Sequence, residues 1–132
     1  MVIDPSALVA ILQDEPERRA FNELIENSPN RRLSTPSLVE LSIVVEARHG
    51  AEGIRDLDLF IATAEIELVP FDAAQARIAR EAFRRFGKGR HPAGLNLGDC
   101  FSYALARAVD EPLLFKGADF PLTDVRVAYR IA

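Results

Sequence analysis

Short apolar runs alternate with helical patterns along the whole chain, and that alternation leaves few folds open. "MVID" at the N-terminus, "RRLS" at 31–34, "IELVPF" at 66–71, "PLLFKG" at 112–117 and "VRVAY" at 125–129 each read as a short strand. Helical spacing fills most of the gaps between them. Parallel neighbours need a crossover of a dozen or more residues, usually a helix, whereas antiparallel neighbours need only a tight turn. The expected fold class is therefore α/β, an α/β/α sandwich with a mainly parallel sheet of about four or five strands covered by helices on both faces.

The helical segments carry their own punctuation. Leu8, Ile11 and Leu12 share one face of the segment after "MVID", and Phe21, Leu24 and Ile25 share one face of the next, which begins near Pro16 and ends at Asn-Ser-Pro-Asn. Thr35 and Pro36 open a third helix that runs to Gly50, and a further helix covers 52–64. Asp72 and Gln75 form a capping box for "AAQARIAREAFRRF", which Gly87 closes. "GKGRHPAGLN" is the one long loop. After it, Asn96 opens a helix with Phe101, Leu105 and Ala108 on the core side.

A chain of 132 residues with 48% hydrophobic content suits one domain, 1–132, with one core. A single cysteine, Cys100, excludes an internal disulfide and a Cys-rich metal site, and neither His49 nor His91 is tied to it as an activating base. No apolar run approaches the roughly 20 residues needed to span a bilayer, and no secretory pattern opens the chain, so the expected location is cytoplasmic with no membrane partner. With 20 acids against 16 bases the net charge is −4, which gives no general attraction to nucleic acid. Any such attraction has to be local.

The acids are where the chemistry gathers. Ligands of a parallel sheet bind beyond the carboxyl ends of its strands. Asp4 ends the first strand, and Asp119 follows "LLFKG" at the same edge. Glu40 lies in the first turns of the helix after the second strand. Asp99 lies in the first turn of a helix that begins at that edge. Each has a plainer reading: a strand end, a turn residue, a capping box with Ser37, a capping box with Asn96. Glu40 resists it best, because "SLVELSIVVEA" is apolar almost all round, and such a helix is buried in a core or an interface, where an unpaired carboxylate is costly. Several carboxylates brought together raise one another's pKa unless a cation intervenes, and the all-oxygen set calls for Mg2+ or Mn2+ rather than zinc. Two such ions about 3.5 to 4 Å apart support phosphodiester hydrolysis.

"MVIDPSALVAIL", "STPSLVELSIVV", "LNLGDCFSYALA" and "PLLFKGADFPLTDV" together resemble the PIN-domain ribonucleases, specifically the VapC-type toxins of bacterial toxin–antitoxin pairs. The resemblance implies a metal-dependent endoribonuclease using Mg2+, with Mn2+ able to substitute, neutralised by a VapB-type antitoxin. It also implies a homodimer that meets operator DNA only through the antitoxin. Asp4, Glu40, Asp99 and Asp119 match the family's acidic positions, which makes Asp99 both cap and ligand. Ser6 matches its hydroxyl residue, and Asp124 is a nearby reserve acid. The family commonly reads Asp-Thr-Ser where this chain reads Asp4-Pro5-Ser6, a change that removes a hydroxyl and an N–H.

RNA needs a basic approach, and "FRRFGKGRH" supplies Arg84, Arg85, Lys88 and Arg90 with Phe83 and Phe86 interleaved, directly before the Asp99 helix. Two rival classes remain on the sequence. A phosphoacceptor receiver would use an acidic pocket with Lys116, but wants adjacent acids after the first strand, and a haloacid-dehalogenase-type phosphatase wants an aspartate where Ser6 stands. A catalytically impaired PIN-like binding module draws its support from Pro5. The apolar helix 36–49 is the expected partner or dimer surface.

Overall fold

The computed structural model describes residues 1–129. Four strands, β1 (Val2–Ile3), β2 (Arg32–Ser34), β3 (Glu67–Val69) and β4 (Leu113–Leu114), form one sheet in the order β3-β2-β1-β4, with every pair parallel. The connections are α1 (Pro5–Leu12) and α2 (Arg18–Asn27), then α3 (Thr35–Thr63), then α4 (Ala73–Phe86) and α5 (Leu97–Val109).

Alternation along such short strands sends neighbours to opposite faces. Val2 and Leu113 pack with Leu95, Tyr103, Leu105 and Phe86 beneath α4 and α5. Ile3, Leu33 and Leu114 pack with Leu8, Phe21, Leu41 and Leu57 beneath α1, α2 and α3. The result is the expected three-layer sandwich. Glu111, just before β4, binds the amino group of Met1 at 2.8 Å and the guanidinium of Arg32, tying three adjacent strands together at the edge away from the acids.

Three expectations shift. The helices at 36–50 and 52–64 are continuous but for Gly50, whose φ of 64° breaks the helical path. Only a residue without a Cβ enters that region freely. Helix 36–49 is not buried all round: Ser37, Leu41 and Val45 face the core, while Val39 and Ile43 are 59% and 65% exposed. Finally, "VRVAY" contributes one parallel bridge, Val127 with Leu113, rather than a strand. Pro112 has no N–H, and the N–H of Val125 is spent on Thr123 Oγ1 at 3.2 Å, so little ladder can form there.

Candidate active site

Asp4 caps α1. Its Oδ2 accepts from the Ser6 N–H at 3.0 Å and from Ser6 Oγ at 2.6 Å, while Pro5 takes the first helical position, where an N–H would have no helical partner. The proline therefore breaks no local hydrogen bond. Asp4 Oδ1 accepts from Ser102 Oγ at 2.6 Å in the interior. Ser6 Oγ in turn accepts from the backbone N–H of Lys116 at 3.0 Å, which fixes the loop after β4 against the start of α1. Burial pushes the Asp4 carboxyl above its ordinary range, against the lowering effect of these donors.

Ser102 was invisible as a site residue in the sequence. It lies three residues after Asp99, hence on the same helical face, and that spacing is the signal that could have found it.

Asp99 does form the cap. Asn96 Oδ1 accepts from the Asp99 N–H at 2.8 Å and Asp99 Oδ2 accepts from the Asn96 N–H at 3.0 Å. Desolvation, reinforced by the charges of Asp4 and Asp119, still pushes its pKa up to about 6 despite the Asn96 donor. Glu40 reaches the same place from α3. Its carboxylate rests on Gly98, where an added Cβ would lie 1.7 Å from Oε2. Partial desolvation there, and the charges of Asp4 and Asp99, push its pKa up as well. Asp119 stands exposed at the start of a 3-10 turn, Phe120–Leu122, close enough to act on Asp99. The four carboxylates thus share one electrostatic neighbourhood at the carboxyl edge of the sheet.

Asp124 does not join them. Tyr103 donates to it at 2.5 Å, and Arg85 and Arg107 stand 3.5 and 3.6 Å away, which outweighs burial and holds its carboxyl below the ordinary range. As a reserve acid it is already committed elsewhere. The basic segment is also partly committed: Arg84 pairs with Glu81, Arg85 lies over the Phe86 ring and Arg90 over Phe83, while Lys88 is exposed. Phe86 is buried in the core, and His91 accepts from the Ala93 N–H at 3.0 Å, a loop-forming role. Burial, with the charge of Asp99, pushes the Cys100 thiol up to about 11, which leaves no thiolate for nucleophilic chemistry. Lys116, the receiver-type lysine, pairs with Glu15 and Glu17.

Among the described residues none of the salt bridges reaches Asp4, Glu40, Asp99 or Asp119. Nor, among those residues, are three acid, histidine or cysteine side chains grouped tightly enough to enclose an ion as they stand. Uncompensated carboxylates repel one another, so an open cluster is their expected resting arrangement. The donor set nonetheless fits a hard divalent cation: all oxygen, anionic, one member immobilised by two hydroxyls. Ser34 and Ser37, at the carboxyl end of β2 beside Asp4, are buried with hydroxyls that have no hydrogen-bond partner, which leaves further polar capacity at this edge.

The PIN-domain family profile matches residues 1–125. The chain is 55% identical over 129 residues to the ribonuclease VapC of Mycolicibacterium smegmatis, a match that covers 98% of this chain and all of that protein. The crystal structure of Mycobacterium tuberculosis VapC20, described as a sarcin-ricin loop cleaving toxin, superposes with a TM-score of 0.73 at 17% identity, covering 95% of this chain and 98% of the other. A chain of the Rickettsia felis VapBC2 complex bound to a promoter DNA fragment gives 0.73 at 18% identity over 96% of this chain and 94% of the other. With the profile running through nearly the whole chain and a close full-length relative beside it, this chain belongs to the PIN-domain family, in the branch of the VapC ribonucleases.

Proposed function

We propose that this protein is a divalent-metal-dependent endoribonuclease that acts as the toxin of a toxin–antitoxin pair, with Asp4, Glu40, Asp99 and Asp119 as the metal-holding acids. The observation that carries the reading is the cluster itself: four carboxylates from four separate segments, with burial and the charges of Asp4 and Asp99 raising Glu40, burial and the charges of Asp4 and Asp119 raising Asp99, and no basic side chain of the described residues paired to any of the four. Mg2+ or Mn2+, once bound, would supply the Lewis-acid charge and the activated water that phosphodiester hydrolysis requires.

The chain's own groups do the rest. Ser6 and Ser102 hold Asp4 in one rotamer as a rigid ligand. The positive end of α5 favours an ionised Asp99 and an approaching phosphate. Arg84, Arg85, Lys88 and Arg90 are proposed to steer RNA, with Lys88 the member least engaged within the fold. A VapB-type antitoxin is the proposed inhibitor, supported by the VapBC complex among the structural relatives. Homodimerisation is proposed through the outer face of α3, where Val39 and Ile43 are exposed, beside the exposed Leu97 of α5.

Purified antitoxin-free protein should cut host RNA with Mg2+ or Mn2+ and stop when the metal is chelated. Folded protein that cuts no host RNA with either metal would refute the reading.

A further inference from the structure

Asp119 differs from its neighbours in how it is held. Asp4 takes three hydrogen bonds and Asp99 closes a capping box. Among the described residues the Asp119 carboxylate makes no capping hydrogen bond and no salt bridge, so its place beside Asp99 is set by its backbone alone. Upstream, that backbone is tied down at Lys116, whose N–H binds the Ser6 hydroxyl. Gly117 then intervenes in open space with a φ of 133°, a conformation that leaves the chain free to pivot there. Downstream the path is closed. The Leu122 N–H donates to the Asp119 carbonyl at 3.1 Å and the Thr123 N–H to the Phe120 carbonyl at 3.0 Å, while the buried Phe120 ring lies 5.1 Å from that of Phe115.

This turn runs straight into Asp124. The Tyr103 hydroxyl donates to its Oδ1 at 2.5 Å, and the guanidiniums of Arg85 and Arg107 flank its Oδ2 at 3.5 and 3.6 Å. Tyr103 is buried, so packing fixes its ring. It follows Asp99 by four residues, which places it on the same face of α5 and about 6 Å along the axis. Asp119 beside Asp99 and Asp124 beside Tyr103 are thus two rungs between α5 and the segment 119–124. Exposed ion pairs of this length add little to stability. What the cluster does is fix where the turn ends.

We infer that Asp124 is a positioning residue for Asp119: gripped by Tyr103, Arg85 and Arg107, it locks the turn so that the Asp119 carboxylate stays beside Asp99, ready to share a divalent cation with it. This deepens, and rests on, the metal-dependent reading above. Arg85, expected from the sequence to meet RNA, serves here inside the fold.

The test combines two measurements on the full chain. Amide hydrogen exchange without metal reads the turn, through the Leu122 and Thr123 N–H groups, and Mn2+ calorimetry reads the consequence. Asp124→Asn should speed exchange of those two amides at least about tenfold relative to the sheet and weaken Mn2+ binding about tenfold. Tyr103→Phe, which removes only the hydroxyl, should act in the same direction on both and serves where Asp124→Asn does not fold. In an Asp119→Asn background, Asp124→Asn should cost no further affinity, because it acts through Asp119. Additive losses in that double variant, or unchanged exchange of the turn, would overturn the inference. Mn2+ binding that Asp124→Asn leaves unaltered would overturn it and keep the metal reading, whereas no Mn2+ binding by the natural protein would overturn both.

Discussion

Asp4 shows how a single residue is made into a fixed ligand. Its two oxygens take three hydrogen bonds, from the Ser6 N–H, the Ser6 hydroxyl and the Ser102 hydroxyl, so neither rotation nor solvent competes for it. Ser102→Ala leaves one buried carboxylate oxygen without its donor. It should destabilise the fold by about 1 to 3 kcal/mol in thermal or urea unfolding and weaken divalent-metal binding at neutral pH, because the carboxyl becomes harder to ionise. An unchanged unfolding midpoint would show that this hydroxyl carries no weight. Asp99 supplies a second expectation at this scale. Its folded pKa, about 6, lies above its ordinary 3.8, so the ionised form is disfavoured by the fold. Stability should therefore decline as pH rises from about 4 through 6, and Mn2+ should restore it, with affinity increasing over that window and levelling off above it. Calorimetry at several pH values checks this, and a pH-independent affinity would contradict it. The acids themselves were legible from position alone, since strand ends and helix starts at one sheet edge can be read from pattern. Ser102 was not, because a serine inside an apolar helix carries no mark of the aspartate 98 residues earlier that it faces.

At the scale of elements, the contact of α3 with α5 places Glu40. Gly98 is what allows it: any side chain there would occupy the space of the Glu40 carboxylate, and because that carboxylate is the free end of a flexible chain, it would swing aside rather than unfold the helix pair. Gly98→Ala should thus lower Mn2+ affinity several-fold while leaving the unfolding temperature almost unchanged, and the opposite pattern would mean that Gly98 serves packing alone. Most helices were readable because each shows one periodicity, and α1, α4 and α5 also begin with a side-chain cap. Asp72 indeed accepts from the Gln75 N–H at 2.8 Å, and Asn96 and Asp99 form the reciprocal box. The last strand was overread because alternation in "VRVAY" says nothing of where its N–H groups go, and one of them is taken by Thr123. The pattern of α3 left core and interface open for a related reason: apolar residues all round a helix do not tell a core from a surface awaiting a partner, and the exposure of Val39 and Ile43 separates the two faces.

The whole molecule has an uneven surface. Uncompensated acids occupy one sheet edge, arginines lie along the end of α4, and Val39, Ile43 and Leu97 leave apolar side chains in solvent around Glu40 and Gly98. Such a face suits a second copy of the chain, which would bring two acid clusters near one another. Ile43→Asp should then convert a dimer into a folded monomer in light scattering, whereas an unaltered mass would place the contact elsewhere. Both faces of the sandwich followed from the spacing of strands and helices. A cavity lined by Glu17, Phe21, Lys116 and Tyr129 did not, since its walls come from residues far apart in the chain, a juxtaposition that only the folded chain displays.

The claim on which the rest depends is that the carboxylates of this edge hold a divalent cation. Titration of Mn2+ into antitoxin-free protein, in parallel with an Asp99→Asn variant shown to keep its fold, tests it without any choice of substrate. Saturable binding that weakens at least about tenfold in the variant is the predicted result. No binding to the natural protein, or equal binding to both, would contradict the account.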